Sequence, residues 1–195
     1  DCKLNRYAAN SYADPVAFPG IINGGVPFGR TTQNYGKLEL DYTLTPQLSL
    51  NSITGFYSMK SRNLYLTNSF GAGLPLAPAT QFGRRVVTEE LRLNSDFEGP
   101  LNFTAGAYFQ DAWSVNRFVT IGSRAFGLGG LDSDGQTAID IRAYSLFGQL
   151  RWKIAPELEL TGGARWTDET RSQQVLNLRT NTPNIVAVNR IVERP

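Results

Sequence analysis

The chain has 195 residues, a formal charge of +2, and only 18% charged residues beside nineteen Gly, eleven Phe and eight Tyr. That balance argues against an ordinary soluble core, and the interspersed charges offer no basic block for nucleic acid. With no His and a single Cys, Cys2, zinc and haem sites lose their usual ligands, and Ser-His or Cys-His catalysis has no base. No cofactor is expected.

Residues 1–31 carry Pro15, Pro19, Gly20, Gly24, Gly25, Pro27 and Gly29 without a sustained period and read as loop. From about Gln33 the residues alternate. Leu38, Leu40, Tyr42 and Leu44 fall on one side and Lys37, Glu39, Asp41 and Thr43 on the other, the period of two that makes a strand. Thr45-Pro46-Gln47 breaks the pattern, and Leu48, Leu50, Ser52, Thr54 and Phe56 resume it. A Gly/Pro-rich stretch, about 63–83, reads as a long loop.

The third strand is expected over Arg84–Phe97 and the fourth from Leu101 to about Ile121. Leu91, Leu93 and Phe97 share one face before the turn, and Leu101, Phe103, Ala105, Ala107 and Phe109 after it. Glu90, Arg92, Asn94 and Asp96 take the opposite face. A second Gly-rich loop, about 122–136, precedes a fifth strand over Ile139–Ile154. After Ala155-Pro156-Glu157 the sixth carries Leu158, Leu160, Gly162, Ala164 and Trp166 on its apolar side. From Ser172 the pattern fades, and 172–195 reads as a loop or terminal segment.

Three turns, around Pro46, Pro100 and Pro156, recur at spacings of 54 and 56 residues. Each reads as a three-residue connection flanked by apolar pairs: Leu44 with Leu48, Phe97 with Leu101, Ile154 with Leu158. Short turns at one end and long loops at the other is the layout of a transmembrane β-barrel. Tyr42, Phe56, Phe103, Phe109, Trp113, Trp152 and Trp166 lie near the two ends of the apolar stripe, where interface aromatics belong. Phe103 to Trp113 is ten residues, about 33 Å of strand and about 23 Å of height at ~45° tilt. A barrel's apolar band is about 25 Å tall. The fold class expected is all-β, an antiparallel up-and-down meander of about six strands. A soluble up-and-down barrel with the stripe turned inward is the rival, and it would have to fill its core with Ala, Gly, Ser and Thr.

The segments Val86–Phe109, with its E-L-R-L-x-S strand and T-A-G-x-Y return, and Tyr144–Thr170, with F-G-Q-L and L-T-x-G-x-R-W-T, resemble barrel strands of TonB-dependent outer-membrane receptors. Leu48–Ser58 resembles the corresponding L-x-S-I-T-G strand. The resemblance implies a 22-stranded barrel, of which this chain is one section of wall. Two parts of such receptors are missing from the sequence, the plug domain and its TonB-contact segment. Starting at Asp1, and with too few strands to close, the chain reads as a piece of a longer polypeptide.

The function implied is outer-membrane uptake of a scarce nutrient, most often a ferric siderophore, driven through TonB in a Gram-negative bacterium. The partners expected are outer-membrane lipid, TonB acting through the plug, and the small-molecule ligand. Ligand contact is expected at the loops 1–31, 63–83 and 122–136, with lumen-facing Glu90, Arg92, Tyr108, Arg151 and Arg165 as further candidates. Mutual pairing in a hydrated barrel interior is the plainer reading of those five. The alternatives are a passive outer-membrane porin-type barrel or a soluble ligand-binding β-barrel; an enzyme is the least favoured reading, for want of an acid–base pair.

Overall fold

The computed structural model describes residues 12–65, 76–128, 130–180 and 182–193. Seven strands form one antiparallel sheet in sequence order. They are β1 (Phe28–Thr45), β2 (Leu48–Leu64), β3 (Leu76–Ser95), β4 (Leu101–Gly122), β5 (Gly130–Ala155), β6 (Leu158–Asn177) and β7 (Thr182–Glu193). The alternation read from the sequence is therefore a meander of long hairpins. Among the described residues no second sheet or helical layer covers the Leu rows; only the loop before β1, with a short 3-10 turn over Ile22–Gly25, packs on that face, at its far end.

Register places the stripe on one face throughout. Tyr42, Leu50, Leu93, Ala105, Gly148 and Ala164 pair in one row across β1–β6, and Leu40, Ser52, Leu91, Ala107, Leu146 and Trp166 in the next. Since successive residues point to opposite faces, one slip would have scrambled these rows. Leu40, Leu91, Leu150 and Leu160 are exposed, Leu40 at 57% and Leu160 at 57%. Leu50, Leu93 and Phe103 are half-buried by their neighbours. Glu89 also lies in the stripe, where it accepts hydrogen bonds from Ser52 at 2.7 Å and Thr54 at 2.5 Å. On this strand the alternation in the sequence names only Leu91, Leu93 and Phe97 for that face.

Three details differ from expectation. The strands run further, so β2 continues to Leu64, β3 starts at Leu76 and β5 at Gly130. The loops shrink accordingly; the parts of them at 1–11, 66–75 and 129 lie outside the described residues. Ladder pairing to a neighbour overrides the weak local preference of Gly, Pro and Asp here. Second, β6 extends to Asn177, and β7 occupies most of the stretch read as terminal loop. Third, the turns at Pro46 and Pro156 span two residues, because Thr45 faces Leu48 and Ala155 faces Leu158. Leu44 and Ile154 are left as bulges. A proline-led tight turn twists against the strands, and one extra residue restores the fit.

The Pro100 turn is longer and is tied by Asn102, whose Oδ1 accepts from the Phe97 amide at 2.6 Å and from Ser95 Oγ at 2.9 Å. Its Nδ2 donates to the Phe97 carbonyl at 3.1 Å. At the far end of the sheet Ala13 and Phe18 pack against Leu64, Ala77, Ala79 and Ile121. This folds the described part of the first loop onto the apolar-stripe side.

Candidate functional site

Four of the five polar candidates come together on the face opposite the stripe. One row across the sheet reads Asp41, Asn51, Arg92, Gly106, Phe147, Arg165; the next reads Glu39, Ile53, Glu90, Tyr108, Ser145, Thr167. Arg92, Glu90, Tyr108 and Arg165 thus occupy adjacent rows, although 75 residues separate Glu90 from Arg165.

Arg165 organises the cluster. Its guanidinium carbon stands 5.3 Å from the Tyr108 ring centre and 5.8 Å from that of Phe147. One of its terminal nitrogens donates to Ser145 Oγ at 2.9 Å, and Nε to Thr167 Oγ1 at 3.4 Å. A cation held over two rings gains electrostatic attraction that does not use up all its N–H donors. Gly106 makes room, because a Cβ there would run into the Phe147 ring and stand 2.6 Å from the Leu91 carbonyl oxygen. Phe147 lies over this glycine and covers the gap in the sheet.

Glu90 and Arg92 form an ion pair along β3, and Tyr108 donates from its hydroxyl to Gln110 Oε1 at 2.9 Å. Arg151 stands apart. It lies toward the turn end, opposite Asn102, and reaches the Ser95 carbonyl at 3.5 Å. Phe147, Ser145, Thr167 and Gln110 were missed in the sequence, where only the polar phase of each strand was legible and not which polar residues would meet.

The rest of this face is a ladder of paired polar side chains. Asn51 donates to Asp41 at 2.6 Å, Thr104 to Asn94 at 2.9 Å, and Glu169 pairs with Arg171. Such an arrangement can present fixed cations, hydroxyls and aromatic faces to a polar ligand; among the described residues of this face no nucleophile has a base beside it. The aromatics read as interface residues, Tyr42, Phe56, Phe103, Phe109, Trp113, Trp152 and Trp166, all take the apolar-stripe parity. Phe109 and Tyr144 stack there at 5.1 Å between ring centres.

Residues 3–189 match the family described as TonB dependent receptor-like, beta-barrel. No curated protein matches the chain by sequence. Among solved structures, the ferric yersiniabactin uptake receptor FyuA from Yersinia pestis is similar at a TM-score of 0.67 and 14% identity over 86% of this chain and 24% of that one. The siderophore receptor PiuA from Acinetobacter baumannii aligns at 0.65 and 14% identity, over 86% of this chain and 29% of its own. The ferric citrate transporter FecA in its unliganded form aligns at 0.57 and 12% identity, over 84% and 24%. The chain spans about a quarter of the length of these relatives. With nearly all of its length matched, the chain belongs to the TonB-dependent receptor-like β-barrel family.

Proposed function

We propose that this wall section belongs to an outer-membrane receptor that binds a scarce nutrient of the ferric siderophore kind and imports it with energy delivered through TonB. The observation that carries this is the separation of the two faces. One presents Leu rows that include Tyr42 and Trp166, with Phe103 and Trp152 toward the turns and Phe56, Phe109 and Trp113 toward the far end, suited to acyl chains. The other presents the Arg165–Tyr108–Phe147 cluster and the Glu90–Arg92 pair, suited to a wet lumen. The solved relatives named as siderophore receptors support the ligand class.

In this reading the apolar face meets lipid, the polar face lines the lumen, and open edges at β1 and β7 pair with the remaining wall, since unpaired edges are prohibitive in lipid. The plug and TonB contact reside elsewhere in the polypeptide. The test is radiolabelled ferric-siderophore uptake by cells with and without the full-length gene. Loss of uptake in the deletion, with binding but no import when the proton gradient is collapsed, is expected. Uptake that persists without the gradient would instead favour a passive pore.

A further inference from the structure

Beyond the aromatic row of Phe109 and Tyr144, the apolar-stripe parity changes character. Further along that face stand Arg85, Lys60, Arg62, Arg30, Arg117 and Arg142, with Asp111, Asp134 and Asp140, set among Phe56, Val87, Trp113 and Val115. Arg117 is taken up by Asp134, at 2.8 and 2.6 Å, and Arg142 by Asp111 at 3.2 Å. Arg30, Lys60, Arg62 and Arg85 have no acidic partner within the described residues, and Arg30 stands directly opposite Arg62 in the ladder. Like charges so placed repel unless an anion lies between them.

Lys60, Arg62 and Arg85 border a groove of about 1090 Å³ that also touches Trp113, Arg117 and Arg142, with Asp111 and Asp140 as its two acids. At its floor Gly83 carries no side chain, with Val115 and Trp113 alongside. Arg85 shares the ladder row of Trp113, the aromatic at the outer end of the stripe, and Lys60 stands one two-residue step further out, about 5 Å of height at ~3.3 Å per residue and ~45° tilt. That is headgroup depth, on the side of the sheet that continues the greasy band.

We propose that this basic groove docks the phosphate groups of anionic lipids in the leaflet that surrounds the distal half of the barrel. The assignment rests on the lipid-facing orientation given under the proposed function. Guanidinium groups bind phosphate oxygens in pairs, and each cation near a charged bilayer adds to the attraction. Continuity with the apolar band selects a lipid over a free anion, because acyl chains would lie along Leu91, Leu146 and Phe109 while the phosphate reaches Arg85 and Lys60.

The experiment uses the full-length receptor in nanodiscs of phosphatidylcholine mixed with phosphatidic acid, with the lipids that stay bound after delipidation counted by mass spectrometry. Wild type is expected to retain phosphatidic acid selectively, and the combined Lys60→Gln, Arg62→Gln, Arg85→Gln variant to lose about tenfold of it. Arg151→Gln, on the other face, should retain it, and excess inorganic phosphate should not displace it. Equal retention by the triple variant, or displacement by inorganic phosphate, overturns the proposal. If the triple variant does not fold, Arg85→Gln alone and a salt titration of wild type replace it; retention that is insensitive to both also overturns it. A bimane label on Leu91→Cys separates the two readings. Quenching by brominated acyl chains with unchanged retention defeats only the lipid-phosphate site, whereas absence of quenching defeats the orientation beneath it.

Discussion

Arg165 and Tyr108 are brought within 5.3 Å of each other, guanidinium carbon to ring centre, although β5 lies between their strands. The contact crosses one strand because both side chains stand on the same face in adjacent rows, with Phe147 beside them. If this pair meets ligand, Arg165→Ala should weaken binding to the full-length receptor by about tenfold, the worth of one cation–π or charge-assisted contact. Arg165→Lys should recover only part, since it lacks the planar fork that also serves Ser145 and Thr167. Fluorescence titration with ligand checks this, alongside unchanged receptor abundance.

Gly106 fixes how close β3 and Phe147 come. In Gly106→Ala the new methyl would meet the Leu91 carbonyl, which is backbone and cannot swing aside. A cost of about 1–3 kcal/mol in barrel stability is expected from overpacking. The paired change Gly106→Ala with Phe147→Leu should recover little, because the ring would yield but the carbonyl would not. Urea unfolding of the receptor in lipid measures both.

The hairpins were legible because the same alternation recurs on either side of three proline turns, and each turn set the phase of the next strand. Which polar residues meet was not legible, since Arg92, Tyr108 and Arg165 sit on strands whose mutual offsets depend on the Asn102-tied turn and on irregularities at Thr120–Ile121 and Ile154. β7 escaped for a different reason. Ile185, Val186, Ala187 and Val188 are apolar in both phases, so no face could be assigned, and its pairing to β6 supplies what the pattern does not. Glu89 and Glu90, as neighbours, belong one to each face: the alternation places Glu90 with Arg92, and Glu89 on the apolar side is held by Ser52 and Thr54.

Leu93 lies midway between the Trp152 end of the stripe and the Tyr144 row. Leu93→Arg should therefore cost about 2–4 kcal/mol in the barrel in lipid, falling toward ~0–1 for the same change at Leu101 near the interface. Leu93→Phe should be nearly neutral. Equilibrium unfolding from bilayers gives the comparison, and equal tolerance at both positions would argue against the depth assigned to these rows.

The Asn102 clasp predicts a local effect. Asn102→Ala removes the acceptor of the Phe97 amide and of Ser95 Oγ together with one donor. Because the turn is exposed and water can replace part of the loss, about 0.5–1.5 kcal/mol is expected. Hydrogen exchange should quicken at Phe97 while amides in the middle of β3 and β4 keep their protection.

Arg117 and Asp134 join the distal ends of β4 and β5, beyond the apolar band, by two parallel hydrogen bonds. The side-chain hydrogen bond from Arg117 is the main reason the Asp134 carboxyl is held below its ordinary value; burial works the other way and is outweighed. A carboxyl with a depressed folded-state pKa binds fewer protons folded than unfolded. Its contribution is therefore complete above the unfolded value near ~3.9 and is lost as pH falls through the lower folded value. Hydrogen exchange of the distal β4–β5 ladder should accelerate in acid below that range in wild type. Asp134→Asn should show the faster exchange already at neutral pH, with little further change on acidification, while the membrane-facing rows below remain as protected as before.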